Sequence, residues 1–166
     1  MGIIVGRKDL VAKIRRNPLL RALRVDKLRL AALSSVLRLY ANPATLAEEL
    51  PALRLLSRSV ESIEATAQAV GAAVMPYFAR CGISVRTVSC ESQVGSGAHP
   101  LARLRSAGLS LSSVTPRRAP SVDSIARQLR ELSIPVVGRI EKDRVVLDLR
   151  CLEERDHALF VRQLSI

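Results

Sequence analysis

The sequence has very few aromatic side chains: tryptophan is absent, and tyrosine and phenylalanine occur twice each among 166 residues. This scarcity argues against a surface that stacks the bases of single-stranded nucleic acid, because such surfaces depend on aromatic platforms. Hydrophobic residues nevertheless make up 48% of the chain, mainly as leucine, alanine and valine. We therefore expect a core of packed aliphatic helices and strands.

Cysteine and histidine are also sparse, and neither forms a recognisable site. Cys81, Cys90 and Cys151 are odd in number and contain no CxxC pair, which argues against a disulfide framework or a zinc site. We expect reduced, half-buried thiols. His99 and His157 have no carboxylate or cysteine at metal-ligand spacing, so we expect surface positions for both. A GxSxG nucleophile elbow is also missing.

Long hydrophobic runs are missing as well. The longest apolar run, around residues 69–75, is much shorter than the roughly 20 residues that a membrane-spanning helix needs. The chain does not open with a signal-peptide pattern. We expect a soluble, cytoplasmic protein whose length suits one domain, or one lobe with a connecting arm.

Charge, in contrast, is abundant and one-sided. Lysine and arginine total 26 against 15 aspartates and glutamates, a net charge of +11. Only four of these cations are lysines, and the guanidinium group of arginine suits bidentate recognition of phosphate or carboxylate. Nine cations lie within residues 1–30. A polyanionic partner is indicated, but charge alone does not distinguish RNA from a phosphorylated small molecule.

The amino-terminal part of the chain predicts one strand and then short helices. "GIIVG" at 2–6 is a β-branched run between glycines, which indicates a buried strand that belongs to a larger sheet. We expect helices over 7–16 and about 27–41, the second capped by Asp26. Asn17-Pro18 separates them, because proline disfavours helix at the preceding residue.

From residue 59 onward the pattern alternates between helical and strand periodicity. The predicted elements are a helix that starts at Ser59 and closes at Cys81-Gly82, strands at 83–90 and near 105–112, a helix capped by Ser121, a hairpin in "PVVGRIEKDRVVLDLR" and a helix at about 154–164. This order predicts an α+β sandwich in which helices cover one face of a mostly antiparallel sheet.

The stretch "NPLLRALRVDK" at 17–27 contains the most suggestive pair of charges. Arg21 and Arg24 are three positions apart, so on one helical turn they would lie side by side and could hold one phosphate-like group. An amphipathic segment with its basic residues in water, or a nucleic-acid contact, would have the same spacing. The residues alone leave these three interpretations open.

Longer motifs resemble a known family. "GIIVGRKDLVAKIRRNPLLRALRVDKLRLAAL" is similar to the segment of bacterial selenocysteine synthases (L-seryl-tRNA(Sec) selenium transferases) that follows their cofactor-binding lysine. The likeness continues through "LRLYANP", "ELPALRLLSR", "SQVGSG" and "PVVGRIEKDRVVLDLRCLEERD", and residues 60–90 match in pattern. It implies an α/β fold of the aspartate-aminotransferase-like type (PLP fold type I). Residues 1–41 would end the large cofactor-binding domain, and 42–166 would form the small carboxy-terminal α+β domain.

The resemblance also implies an activity. Enzymes of that family convert L-seryl-tRNA(Sec) to L-selenocysteinyl-tRNA(Sec) with pyridoxal 5'-phosphate as cofactor and selenophosphate as selenium donor, in homo-oligomers of dimers assembled into a larger ring. By resemblance, Arg21 and Arg24 hold the anionic donor. Residues with an implied supporting role are Asn17, Pro18, Asp26 and Lys27.

One departure from the family pattern concerns the cofactor. The Schiff-base lysine of the family lies in a Ser-Gly-Asp-Lys run just upstream of "GIIVG", and none of the four lysines in this chain matches it. We therefore expect the carboxy-terminal part of such an enzyme, inactive alone. Two alternatives stay open: a related PLP-dependent lyase that acts on a small phosphorylated amino or sugar acid, and a non-enzymatic basic module that binds RNA through its phosphates.

Overall fold

The computed structural model describes residues 3–94, 103–114 and 119–165. The chain divides into two compact units, Met1–Pro51 and Ala52–Ile166. The end of the "SQVGSG" motif at 95–97 and His99, for which a surface position is expected, lie outside the described residues. No helix in the described ranges is long and apolar enough to cross a membrane.

The first unit is helical. Its elements are α1 (Lys8–Arg15), a 3-10 helix (Pro18–Arg21), α2 (Lys27–Leu39) and α3 (Leu46–Glu49), and α4 (Pro51–Leu56) begins at its last residue. Proline is tolerated in the first turn of a helix, because the backbone N–H it lacks has no intrahelical partner there.

The predicted strand at 2–6 is wrong for the residues that can be described. Residues 3–6 have no regular secondary structure, and Ile3, Ile4 and Val5 are 61–89% exposed. A continuous apolar strand needs neighbours that pair with its backbone and cover both faces. No strand of the described residues pairs with this segment, so the sequence pattern alone does not produce a strand.

The apolar stripes of the first unit are also uncovered. The described helices α1, α2 and α3 contain no buried residue, and Leu10, Leu30, Leu37 and Tyr40 are each about half exposed. Most of the stability of a helix in a protein comes from packing of its apolar face. These stripes are therefore surfaces that another protein segment would stabilise by covering them.

The second unit confirms the predicted order of elements. It contains α5 (Val60–Arg80), β1 (Ile83–Gln93), β2 (Arg103–Ser113), α6 (Val122–Arg130), β3 (Arg139–Glu141), β4 (Arg144–Asp148) and α7 (Glu154–Leu164). The strands form an antiparallel sheet in the order β1-β2-β4-β3. The hydroxyls of Ser59 and Ser121 accept hydrogen bonds from the backbone N–H groups of Ser62 and Ser124, so both predicted N-caps are confirmed.

The core of the second unit lies between one face of the sheet and its helices. Every second residue of the strands faces this core. The core includes, from the strands, Ile83, Val85, Ala107, Leu109, Leu111, Val145 and Leu147 and, from α5 and α6, Ile63, Val70, Val74, Ile125 and Leu129. The core-facing positions follow the period of two of a strand, and in the central strands β2 and β4 the intervening Ser106, Ser110 and Val146 are buried as well.

Backbone conformations confirm two predicted turns. Lys142 and Asp143 have φ angles of 48° and 60°, so the hairpin between β3 and β4 turns through two left-handed residues, as a type I′ turn does. Gly82 has φ of 72° and ends α5 with the left-handed residue that commonly closes helices.

A buried arginine forms hydrogen bonds beside the end of β4. The hydrophobic pattern of the sequence does not predict its burial. Arg150 is only 5% exposed, and its Nη1 donates to the carbonyls of Leu55, Leu56 and Arg58 at 3.2–3.3 Å. Its Nη2 donates to the carbonyl of Arg105. The chain that enters α5 is thereby fixed to the end of β4.

The hydroxyl of Ser92 links Arg150 to a negatively charged partner, Asp148. Arg150 Nε donates to Ser92 Oγ at 3.1 Å, and this hydroxyl donates to Asp148 Oδ2 at 2.5 Å. Ser106 Oγ donates to the other carboxylate oxygen at 2.7 Å. A buried charge is stable only when its partners are in place, so these side chains depend on one another.

A second arginine, Arg58, joins the same segments from the opposite side. Its Nη1 donates to the carbonyls of Leu149, Arg150 and Leu152 at 2.7–3.3 Å, and its Nη2 donates to Thr66 Oγ1. Burial, followed by the nearby Arg150 charge, lowers the pKa of Arg58.

Gly108 provides a test of how closely β2 and β4 approach. A Cβ at this position would lie 2.0 Å from the carbonyl oxygen of Leu147, so Gly108→Ala should lower the free energy of unfolding by about 3 kcal/mol. Gly6→Ala is the matched control, because nothing lies within 4 Å of its Cβ position. Urea denaturation followed by circular dichroism measures both variants. Equal stability would contradict the described pairing of these strands.

The Arg150 network provides a second test. Arg150→Met removes the buried cation, takes a donor away from several carbonyls and from Ser92 Oγ, and leaves the Asp148 carboxylate without the nearby countercharge, so we expect a loss of about 3–5 kcal/mol in the free energy of unfolding. Arg127→Met, at an exposed position of α6, should change stability by less than about 0.5 kcal/mol. A loss below about 1 kcal/mol for Arg150→Met would mean that this guanidinium is not buried as described.

Candidate anion-binding site

The segment between α1 and α2 is shaped at its start by Asn17 and Pro18. Asn17 is extended, and its side-chain oxygen accepts a hydrogen bond from Leu19 N–H at 3.0 Å. Pro18 occupies the first position of the 3-10 helix, where its fixed φ suits a helical start. The predicted separation of the two helices at Asn17-Pro18 is confirmed, and this local geometry bends the chain there.

The same segment is closed at its other end by Asp26. Its Oδ1 accepts a hydrogen bond from Arg29 N–H at 2.9 Å, and its Oδ2 lies 3.2 Å from the Arg29 guanidinium. The predicted N-cap is therefore confirmed, and Lys27 is the first residue of α2. The Asp26 carboxylate is engaged by Arg29.

An open depression of about 850 Å³ lies between these two caps. We call it the arginine depression, and its lining residues are Arg15, Asn17, Pro18, Leu20, Arg21, Leu23, Arg24, Val25 and Leu30. It therefore contains both arginines that the sequence singled out, together with the two residues of the bend. Asp26 and Lys27 do not line it and lie at the start of α2.

Arg21 and Arg24 do not share a regular α-helical turn. The 3-10 helix ends at Arg21, and Arg24 lies in the non-helical link before Asp26. Both side chains are exposed, and in the described ranges neither guanidinium has a hydrogen bond or ion pair with the protein. Since each guanidinium has five N–H donors, two forks of donors remain free for a ligand.

The composition of the arginine depression limits its chemistry to binding. Its charged residues are all arginines, and its other walls are mostly aliphatic, from Leu20, Leu23, Val25 and Leu30. Leu20, Leu23 and Leu30 are 42–76% exposed, so the depression is open to water. None of the lining residues is a nucleophile, a general acid or base, or a lysine that could form a Schiff base. The site fits an anion.

Other chemistry-bearing residues do not form a second centre. No group of three or more histidines, cysteines, aspartates or glutamates in the described ranges could hold a metal ion. His157 is partly buried, not on the surface as expected, and contributes to a cavity between α5 and α7. The cysteines are free, but Cys81 and Cys151 are exposed, so only Cys90 is half-buried as predicted.

Comparisons with known proteins confirm the resemblance noted in the sequence. The family model of L-seryl-tRNA selenium transferase matches residues 1–153. Proteins named L-seryl-tRNA(Sec) selenium transferase from Shigella flexneri serotype 5b (strain 8401) and Escherichia coli O139:H28 (strain E24377A / ETEC) are each 46% identical to this chain over 160 residues. These matches cover 95% of this chain and 34% of each relative. The chain thus spans about a third of the length of these relatives.

Thiol reactivity tests the environment of Cys90. Burial, followed by the nearby Asp148 charge, raises the pKa of the Cys90 thiol, so at any given pH it carries less thiolate, the reactive form. We expect iodoacetamide to modify the exposed Cys81 and Cys151 first and Cys90 more slowly, with the Cys90 rate rising at higher pH. Peptide mass spectrometry after timed labelling measures each site. Labelling of Cys90 as fast as that of Cys151 would contradict the described burial.

Proposed function

Because the chain belongs to the L-seryl-tRNA selenium transferase family, we propose that it provides the selenophosphate-binding part of an enzyme that makes L-selenocysteinyl-tRNA(Sec) from L-seryl-tRNA(Sec). The observation that carries this proposal is the arginine depression, where Arg21 and Arg24 present free guanidinium groups and no carboxylate competes. Selenophosphate is a compact tetrahedral anion whose oxygens accept charge-assisted hydrogen bonds from such groups.

The proposed roles follow the local structure. Arg21 and Arg24 bind the phosphate oxygens of the donor and stabilise negative charge that remains on the phosphate group as selenium leaves it. Asn17 and Pro18 fix the direction of the segment that carries both arginines. Asp26 and Lys27 support the segment from the start of α2, and the Asp26–Arg29 contact keeps the carboxylate engaged outside the arginine depression.

The cofactor belongs to the proposal only for the complete enzyme. Pyridoxal 5'-phosphate acts as an electron sink when it is bound, and its attachment requires a lysine amine. The arginine depression is lined by neither a lysine nor a carboxylate that could pair with the pyridine nitrogen. Its residues fit an anionic substrate and do not fit attachment of the cofactor.

We extend the proposal to the fold, the assembly and the location. The antiparallel sheet covered on one face by helices supports residues 42–166 as the small domain of an aspartate-aminotransferase-like enzyme. The uncovered stripes of α1 and α2 support residues 1–41 as part of a larger domain within a homo-oligomer.

Seryl-tRNA(Sec) as second substrate is supported by the names of the relatives and by the net charge of +11. We also propose a cytoplasmic location.

A chimeric enzyme tests the donor assignment. In it, this chain replaces the matched 160-residue segment of the Escherichia coli relative, and selenium transfer to seryl-tRNA(Sec) is measured at limiting selenophosphate. Arg21→Ala and Arg24→Ala should each lower the rate at limiting donor by a factor equivalent to about 1.5–3 kcal/mol, because each removes charge-assisted hydrogen bonds. Arg38→Ala is the matched control, since this exposed arginine of α2 does not line the arginine depression.

The readout separates donor binding from other functions. The donor assignment predicts a higher apparent KM for selenophosphate with Arg21→Ala and Arg24→Ala and an unchanged KM for seryl-tRNA(Sec). Unchanged selenophosphate dependence in both variants would contradict it. A chimera that eliminates phosphate from a phosphorylated amino or sugar acid and transfers no selenium would favour the lyase alternative. A loss of tRNA binding alone would favour the RNA-binding alternative.

A further inference from the structure

We propose that Arg15 is a third ligand of the bound anion and that three guanidiniums make the arginine depression selective for doubly charged tetrahedral oxyanions. This inference rests on the proposed function and deepens it, because it adds a residue and a charge requirement to the same site. The family resemblance, in contrast, pointed only to Arg21 and Arg24.

The position of Arg15 supports this role. It is the last residue of α1 and lines the same depression as Arg21 and Arg24. Its side chain is exposed, and among the residues that the structure describes it has no hydrogen bond or ion pair. Arg16, the next residue, is equally exposed but does not line the depression. Successive residues at a helix end point about 100° apart, which explains why only one of the two arginines contributes.

The excess of positive charge at the site would make it select dianions over monoanions. Three arginines line one depression whose lining includes no carboxylate, and Asp26 is occupied by Arg29. Like charges repel in the empty site, so a bound anion relieves this repulsion in proportion to its own charge. A dianion should therefore gain considerably more than a monoanion of the same shape.

The geometry favours a tetrahedral ligand over a planar carboxylate. Arg15 comes from the end of α1, Arg21 from the 3-10 helix and Arg24 from the following link, so the donors start from three separate elements. A phosphate-type group has three or more oxygens that can accept from different forks, whereas a carboxylate has two.

Arg15 also compensates the partial negative charge at the carboxyl end of α1, which disfavours anion binding. The carboxyl end of α1 carries the partial negative charge of the helix dipole, which opposes the binding of an anion nearby. A cation in the last turn compensates that charge. Arg15 is thus placed to act both on the ligand and on the helix end beside it.

Anion titrations of the 166-residue chain test the inference. We would measure binding of inorganic phosphate and of sulfate by calorimetry at constant ionic strength and several pH values. Sulfate remains a dianion and its affinity should not change with pH, whereas phosphate affinity should rise as its second proton is lost. Arg15→Ala should weaken sulfate binding about tenfold or more and flatten the pH dependence for phosphate.

Control variants show whether a loss of binding is specific to Arg15. Arg16→Ala should leave both titrations unchanged, and Arg15→Gln should repeat the Arg15→Ala result with a side chain of more similar length. Equal behaviour of Arg15→Ala and Arg16→Ala, with binding lost in Arg21→Ala, would overturn the inference and leave the proposed function intact. Unchanged binding in Arg21→Ala and Arg24→Ala as well would overturn both. A similar small loss for all four arginines would indicate binding to net charge and would also overturn the inference.

Discussion

A buried guanidinium must find acceptors within the protein, and this requirement at Arg150 determines how the second unit is assembled. The acceptors are carbonyls of residues 55, 56, 58 and 105 and the hydroxyl of Ser92. They come from the segment before α5, from β1 and from β2, and Asp148 provides the countercharge through Ser92. One side chain therefore joins parts of the chain that no hydrophobic pattern would bring together, and removing it would take a buried donor away from each of these acceptors.

Two groups of arginines in the described residues differ by the same criterion. Arg150 and Arg58 donate to backbone carbonyls and are structural. Arg15, Arg21 and Arg24 lie around one depression and have no protein acceptor in the described ranges. Retaining several free guanidiniums in one place has an electrostatic cost that an anionic ligand removes. In a chain with a net charge of +11, the shared position of Arg15, Arg21 and Arg24 around one depression is what distinguishes the proposed anion site from other exposed arginines such as Arg16 and Arg38.

The sequence predicts the second unit well because its elements depend on local patterns. Alternation in β1, the β-branched runs of the hairpin that contains β4, helical spacing in α5, and Ser59 and Ser121 as caps are all readable from neighbouring residues. The strand predicted at 2–6 is wrong for residues 3–6, because a local apolar pattern does not show whether other strands are present to pair with it. Arg150 could not be predicted either, since a charged residue at the end of a strand ordinarily indicates solvent.

The candidate site was only partly readable from the sequence. The spacing of Arg21 and Arg24 allowed three interpretations, and the resemblance favoured an anion ligand. Arg15 was not singled out, because its place at the end of an amphipathic helix indicates a solvated residue. Its contribution becomes visible only when the bend at Asn17-Pro18 places α1 beside the following segment.

Arginine side-chain NMR tests the central claim, that a tetrahedral anion binds in the arginine depression, most directly. Selenophosphate, or thiophosphate as a more stable analogue, would be added to the isotopically labelled chain at constant ionic strength while the Nε–Hε resonances are recorded. The account predicts saturable shifts for Arg15, Arg21 and Arg24, with Arg16 and Arg38 unchanged. Small shifts spread over all exposed arginines, without saturation, would contradict it.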